Sequence, residues 1–487
     1  MASSSKPTKR KIDHDAPISP PPLRRKVKST ITQNAVSSFF TPASQKPPEK
    51  IVWHERAPND DVPSTLLVGK FTPGESTSMV AASKRNKIAA FDFDSTLIET
   101  SSGKKFASDA QDWKWWHASV PSMVRKMHLE EGQVCQANIE GGCTNVTDSF
   151  TIVVISNQGG ITLKPDTKMP KAHQSKAESF KTKVSAVFSQ LDIPISIYAA
   201  TEKDIYRKPR TGMWTELLED NEINPADLDL KNSVFVGDAA GRHASQGSAK
   251  DFSCSDRNFA ANVGIQFHTP EEFFLSEAPR PFTRTFEPSE YLTDASTSEV
   301  RQTYTKKNDC DLVLFCGSPG AGKSTFYWKQ LVPLGYMRVN QDTLKTVHSG
   351  SLQTAVNIAN SRKREKCLKV ADEYLKEGKS VAIDNTNPDT DVRSKWVQLA
   401  AKHKVPIRCV LFTAATEICQ HNDVVRALND IMNPEKRTIL PSLAFRGFTS
   451  RYRQPQLSEG FQDITKVAFE FIGSEVEREI WTRHWTE

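Results

Sequence analysis

Lys87-Ile-Ala-Ala-Phe-Asp-Phe-Asp-Ser-Thr-Leu-Ile-Glu99 runs four apolar residues straight into two carboxylates. So short an apolar run, bounded by polar residues, fits a strand buried on both faces of a parallel sheet. Asp92 and Asp94 then stand two residues apart, on one face of an extended segment. Two anions side by side are costly unless a cation or a reaction occupies them. Further along, SFTIVVISNQGGI (Ser149–Ile161) and SVFVGDAAG (Ser233–Gly241) repeat the pattern of an apolar strand with polar residues at its exit. Between them AHQSKAESFKTKVSAVFSQL reads as helix. Strands alternating with helices predict an α/β fold around a parallel sheet.

A second series starts at DLVLFCGSPGAGKST (Asp311–Thr325). Gly317, Ser318, Pro319, Gly320, Ala321, Gly322, Lys323 and Ser324 fit G-x-x-x-x-G-K-[ST] between an apolar strand and a helical segment, with Thr325 following. That context is what a phosphate loop requires. Its glycines let backbone N–H groups wrap a phosphate, Lys323 reaches the terminal phosphates, and Ser324 holds magnesium. YMRVNQDTLK predicts a short strand ending at Asn340, with Asp342 just beyond it. A carboxylate there can accept the proton of an attacking hydroxyl, which makes a kinase rather than a motor. Asp384 in IDNTNPD is a candidate to orient magnesium or its water, and helix capping is the bland alternative for both aspartates. Arg426 in HNDVVRALN falls where a lid would bring positive charge to the transferred phosphoryl group. SVAIDNTNPD (Ser380–Asp389) and PIRCVLFTAATE (Pro406–Glu417) supply further strands.

The first series resembles the haloacid dehalogenase superfamily, whose motifs stand here in order: Asp92-x-Asp94-x-Thr96, Ser156-Asn157 after a strand, Lys208 in YRKPRTGMW, and Asp238 in FVGD. The resemblance implies that Asp92 attacks phosphorus, that Asp94 protonates the leaving alkoxide and then activates water, and that Thr96, Ser156, Asn157 and Lys208 hold the phosphate. Magnesium would sit between Asp92, the Asp94 backbone and Asp238. For an accessory acid near the metal both Asp256 and Asp251 are candidates, and the pattern of SDRNFAANVG favours Asp256. RKPRTGMW, VGDAAGR, KDFSCSDRNFAANVG, TPEEFF, GSPGAGKST, VNQDTLK and DNTNPD together resemble the polynucleotide kinase/3′-phosphatase family over about residues 51–487.

That resemblance implies a bifunctional enzyme with a haloacid dehalogenase-like phosphatase at 51–278, a linker at 279–308 and a P-loop kinase at 309–487. It would remove 3′-phosphate and use ATP and Mg2+ to phosphorylate 5′-hydroxyl ends of DNA, acting as a monomer. A small-molecule kinase–phosphatase pair is the competing reading. Animal members open with a forkhead-associated domain, in place of which this chain shows only a basic tail. Gln341 stands before the candidate base, where relatives carry Arg, and Lys345 is the nearest compensating cation. Met127–Asp148 is longer than the family's connection and is expected to be a surface loop.

The net charge is +6, but residues 1–50 hold ten Lys/Arg against Asp13, Asp15 and Glu49, so the rest is close to neutral. A nucleic acid must therefore be met by a local groove rather than by a whole-body field. The tail, with eight Pro and eight Ser, cannot bury enough apolar surface to order itself. Its clusters KPTKRK (Lys6–Lys11) and LRRKVK (Leu23–Lys28) resemble a bipartite nuclear-import signal. Gln33, Val36, Phe39 and Phe40 match a motif that docks on sliding clamps, since one helical turn puts the three apolar residues on one face. No run approaches the ~20 apolar residues of a membrane span, and MASSSKPTKR lacks the apolar stretch of a secretory signal, so an intracellular protein with reduced thiols is expected. Cys135 and Cys143 are the nearest approach to a metal-binding spacing. Trp113, Trp115 and Trp116 are either core or a base-stacking platform; Arg446, Arg451 and Arg453 are either a solvated face or a nucleic-acid groove.

Overall fold

Apolar runs of three to seven residues, too short to be helices, build two sheets in the computed structural model, which describes residues 50–73, 85–129, 134–137, 143–146, 149–163, 171–245, 249–292, 303–342 and 354–486. The tail, with both basic clusters and the clamp-like motif, lies outside the described residues. No helix among the described residues is long and apolar enough to cross a membrane.

The first series runs β1 (Ile51–Arg56), β2 (Leu66–Phe71), β3 (Ile88–Phe91), α1 (Val120–Leu129), β4 (Thr151–Asn157), α2 (Lys171–Leu191) and β5 (Ile195–Ala200). It continues with α3 (Gly212–Asp220), β6 (Val234–Val236), α4 (Ser255–Val263), β7 (Gln266–His268) and α5 (Pro270–Leu275). The strand order is β1-β2-β5-β4-β3-β6-β7. From β5 to β7 all neighbours are parallel, whereas β1 and β2 form an antiparallel hairpin on the β5 edge. The sheet is therefore parallel at its centre and mixed at one edge. The hairpin, with no Gly-Asn type turn to announce it, was not legible as such. Arg56 pins it to α3 through Glu216 and Asp220.

β3 is completely buried, and its residues alternate between two cores: Ala89 and Phe91 on one face, Ile88 and Ala90 on the other. Each large apolar side chain so buried contributes about 1.5–3 kcal/mol. The double burial explains why the strand reads as a continuous apolar run.

The second series runs β8 (Leu312–Cys316), α6 (Lys323–Phe326), β9 (Met337–Val339), α7 (Thr354–Lys376), β10 (Val381–Ile383) and α8 (Thr390–His403). Then come β11 (Ile407–Phe412), α9 (Thr416–Leu428), α10 (Ser442–Arg451), β12 (Ile464–Val467) and α11 (Glu475–Thr482). Its order, β9-β10-β8-β11-β12, is parallel throughout. In both sheets the motif-bearing strand has neighbours on each side whose crossovers run in opposite directions, and the crevice at its carboxyl end is where such folds bind ligands.

The stretch expected as a linker is packed where it is described. Thr283 N–H donates to the Gly241 carbonyl, and the Phe286 ring lies 4.8 Å from that of His421. The expected surface loop after α1 carries an antiparallel pair, Val134–Ala137 with Cys143–Val146, in which Cys135 stands opposite Asn145 rather than Cys143.

Candidate active sites

At the end of β3 the chain turns sharply. Asp92 N–H donates to the Val236 carbonyl (2.8 Å), Phe93 is fully buried beneath, and the Leu97 and Ile98 amides both close on the Phe93 carbonyl. The Asp92 and Asp94 carboxyls are thus delivered above the strand ends. The pairing of Val236 with Phe91 brings Asp238 to the same level from β6. α4 contributes Asp256. Gly237 makes room for it, because a Cβ there would stand 2.3 Å from Asp256 Oδ2.

Asp92, Asp238 and Asp256 offer carboxylate oxygens within 4.8 Å of one another. Lys208, itself fully buried, donates to Asp92 at 2.7 Å, pairs with Asp256 at 2.8 Å and donates to the Ile155 carbonyl at 2.8 Å. Burial disfavours its charge, but Asp256 and Asp92 outweigh that and hold its pKa raised. One lysine cannot balance three acids. Burial, then the charge of Asp92, pushes Asp238 well above the carboxylate range, and burial carries Asp256 up to about 6 despite Lys208. Buried and half-buried carboxylate donors with an unmet negative charge are the donor set of a hard dication, so the residues fit magnesium.

Asp94 keeps its side chain out of that cluster and accepts from Gln158 Nε2 at 2.7 Å. Its surface opens to the crevice, yet the walls crowding it raise its pKa, against the Gln158 hydrogen bond and with Asp92 adding to the rise. The buried Ser156 hydroxyl also accepts from Gln158 (3.1 Å). Asn157, expected on the phosphate, spends both ends of its amide on the Lys208 main chain (2.9 and 3.1 Å). Thr96 Oγ1 is buried without a hydrogen-bond partner. Asp251 lies apart from the acids, engaged by Arg242 at 2.8 Å and by the Ala240 and Arg242 amides. At Lys105, whose ammonium lies 5.6 and 5.4 Å from the ring centres, Phe106 and Phe252 stand 77% and 92% exposed. The three tryptophans go to the core side: Trp113, Trp115 and Trp116 pack against the cluster that includes Phe91 and Phe93, with Trp116 6.0 Å from Phe274.

In the second sheet the loop after β8 needs its glycines. Gly320 has φ +76°, and a Cβ there would meet the Cys419 carbonyl oxygen at 2.1 Å. Lys323 is buried and donates to the loop's own Gly317 and Ser318 carbonyls, with burial lowering its pKa. Ser324 Oγ donates to Asp384 Oδ2 at 2.9 Å, so the acid at the end of β10 meets the serine at the start of α6. Helix capping falls to Asp389 instead. A hydroxyl and a carboxylate so placed fit the magnesium of a bound nucleotide. Asp342 sits past β9 with its amide on Asn340 Oδ1 (2.7 Å) and its side chain 67% exposed, 3.3 Å from Arg437. Lys345 lies outside the described residues.

Arg426, on α9, is held by the buried Asp423, and burial lowers its pKa; its Nε has no hydrogen-bond partner. Loop, acids and arginines line one cleft of about 1590 Å3, which Phe448 and Arg451 of α10 extend. Arg446 and Arg453 do not line it; they bond locally, to Ser442 and to the Tyr452 carbonyl. Sequence reasoning missed Gln158, Arg437, Glu435 and Arg338, since none falls within a spacing pattern and each is brought in by a turn or a distant segment.

Two families match the two halves: "Polynucleotide kinase 3 phosphatase" over residues 87–274 and "AAA domain" over 312–455. The chain is 38% identical over 390 residues to the bifunctional polynucleotide phosphatase/kinase of Schizosaccharomyces pombe, covering 80% of this chain and 81% of that one. It is 30% identical over 416 residues to a putative bifunctional polynucleotide phosphatase/kinase of Acanthamoeba polyphaga mimivirus, covering 82% and 88%. The polynucleotide 3′-phosphatase of Saccharomyces cerevisiae is 29% identical over 244 residues, 42% of this chain and 94% of that one. The chain belongs to the bifunctional polynucleotide phosphatase/kinase family.

Proposed function

We infer that this chain heals broken DNA strands, removing 3′-phosphate at the first sheet and phosphorylating 5′-hydroxyl from ATP at the second. The observation that carries this is the presence, in one chain, of a lysine-bridged acid cluster and a phosphate loop closed by Ser324–Asp384. In the phosphatase, Asp92 attacks phosphorus while the bond to the 3′ oxygen breaks, and Asp94 gives that oxygen its proton. A raised Asp94 pKa keeps the proton available. Asp94 then takes a proton from the water that cleaves the aspartyl-phosphate, regenerating Asp92. Lys208 offsets charge on Asp92 and the phosphoryl oxygens, and the Thr96 and Ser156 hydroxyls donate to them. Asp92, Asp238 and Asp256, with the Asp94 main chain, would hold magnesium, which would supply the charge that lets an anion approach an anion.

In the kinase, Lys323 exchanges loop carbonyls for the terminal phosphates, Asp342 takes the proton of the 5′-hydroxyl, and Arg426 meets the developing charge. Ser324 and Asp384 would hold magnesium, which would supply positive charge to the nucleotide's phosphates. The exposed Phe106–Lys105–Phe252 group favours a polynucleotide over a small metabolite, because exposed rings around a cation suit bases and backbone. The tail adds nuclear import, and Gln33, Val36, Phe39 and Phe40 add sliding-clamp docking.

A nicked duplex bearing 3′-phosphate and 5′-hydroxyl, given ATP and magnesium, should acquire 3′-hydroxyl and 5′-phosphate termini. Turnover of small phosphate esters and free nucleosides with the nick untouched would favour the metabolite reading. Replacing Phe39 and Phe40 with Ala should abolish capture by the clamp; unchanged capture ends that part.

A further inference from the structure

Arg338, on β9, is the one arginine among the described residues seen to hydrogen-bond both Ser324 and Asp384. Its Nε and Nη2 donate to Asp384 Oδ2 at 2.9 and 2.6 Å, and Nη2 also lies 2.9 Å from Ser324 Oγ. The remaining fork nitrogen, Nη1, donates to Glu435 at 2.7 Å, on the segment after α9 that also carries Arg437. The guanidinium lies 5.5 and 5.1 Å from the rings of Tyr327 and Trp328. Asp384 is 2% exposed, so its charge needs a cation whenever no metal is near.

Arginine stays protonated in proteins, and its fork can engage a carboxylate and a hydroxyl at once. A dication that takes Ser324 Oγ and stands beside Asp384 cannot share that place with a guanidinium within hydrogen-bond distance of both residues, because like charges at that separation repel strongly. One of the two must leave. Arg338 has somewhere to go, since Nη1 already bonds Glu435 and the Tyr327 and Trp328 rings lie beside the guanidinium.

Resting on the kinase reading above, we propose that Arg338 is a displaceable stand-in for the kinase metal. In the nucleotide-free protein it ties Ser324, Asp384 and Glu435 together. Arriving magnesium and nucleotide take Ser324 and Asp384 from it, and Glu435 retains it. The arginine thus sets how much magnesium the site demands before it accepts a nucleotide. It is a positioning residue, acting through Ser324 and Asp384.

The test is calorimetric binding of ADP to the full chain across a magnesium series, with no DNA present. Arg338→Ala should reach half-maximal ADP binding at roughly tenfold lower magnesium, because the competitor is gone. Glu435→Gln should shift the requirement upward, because a displaced Arg338 then loses its retaining acceptor. Arg338→Lys, which keeps the charge but not the fork, should fall between wild type and Ala, and it serves if the Ala variant fails to fold. An unchanged or higher magnesium requirement in a folded Arg338→Ala or Arg338→Lys variant overturns the proposal. Wild-type protein that binds no ADP at any magnesium concentration overturns the kinase reading itself, which separates the two failures.

Discussion

The phosphatase and kinase centres differ in how much of their charge is balanced before any substrate arrives. In the first, a buried lysine is locked between the two buried acids of a cluster of three, whose third, Asp238, is half-buried, and the acids remain in excess. In the second, the buried lysine touches only neutral carbonyls of its own loop, and the candidate base stands open to solvent. The first centre is short of positive charge, the deficit that a metal would make good. The second is short of negative charge around Lys323, the deficit that a nucleotide's phosphates would make good. A site of the first kind is assembled by folding; one of the second kind is assembled by binding.

The sharpest way to break this comparison is to remove one centre at a time. Asp92→Asn should lower 3′-phosphatase turnover by roughly 10^4-fold or more while kinase turnover persists, and Lys323→Ala or Asp342→Ala should do the reverse. Separate assays on 3′-phosphate and 5′-hydroxyl duplexes read both. Loss of both activities from one substitution in folded protein would mean that the centres are not independent.

The next contrast is in stability. Lys208→Met strands Asp92 and Asp256 without their cation, a change that costs about 3–5 kcal/mol when a buried pair is broken. Lys323→Met deletes a charge that burial already disfavours, so its loss should be small or even a gain. Thermal melting without nucleotide reads the pair, and added magnesium should restore part of the Lys208→Met loss by occupying the acids. Equal melting losses would erase the distinction between the centres.

Legibility followed the same division. Wherever chemistry is carried by short spacings at strand ends, the residues could be read directly: Asp92-x-Asp94, Gly237-Asp238 and Gly317–Ser324 each sit on a buried apolar strand whose exit the sheet fixes. Asp256 was legible only as a preference, since nothing local distinguishes it from Asp251; what separates them is that α4 turns one toward Lys208 while Arg242 takes the other. Arg338, Glu435 and Arg437 were not legible at all. Their partners lie 46, 97 and 95 positions away, and such pairs are fixed by tertiary packing rather than by pattern. The β1–β2 hairpin escaped because its pairing with β5 is set by the sheet edge it finds.

A smaller effect concerns acid. His421, fully buried between Phe286 and Trp481, donates through Nε2 to the Trp481 carbonyl, and its Nδ1 has no partner. Burial lowers its pKa to about 4. The unfolded chain binds that proton from about pH 6.5 downward and the folded chain does not until about pH 4. Stability therefore falls as pH falls through this window, by about 2 kcal/mol at pH 5 for this one group. His421→Gln should flatten the dependence of melting temperature on pH between those limits, even if it lowers the whole curve. His128, in the phosphatase half, has its pKa lowered to about 4 by burial and then by Arg85, and its Gln variant should flatten the same window independently.

The smallest effect tests whether the halves unfold together. The Asn262 amide of α4 donates to the Pro209 and His484 carbonyls at 2.8 and 2.7 Å, and its oxygen accepts from the His484 amide at 2.8 Å. Pro209 follows Lys208, and His484 follows α11, whose Trp481 donates to Asn422, which in turn donates to the phosphate-loop carbonyl of Gly320 (2.9 Å). Two centres with opposite charge deficits are thus joined by a short relay of main chain and hydrogen bonds, beside which Arg210 Nε donates to the Trp485 carbonyl (3.2 Å). Asn262→Ala removes its first step at a cost of about 1 kcal/mol per lost bond. Differential scanning calorimetry should then resolve the single melt into two, with ADP and magnesium moving only the kinase transition. A variant that still melts in one step, with nucleotide raising the whole of it, would show that the packed segment around Phe286, not this relay, carries the coupling.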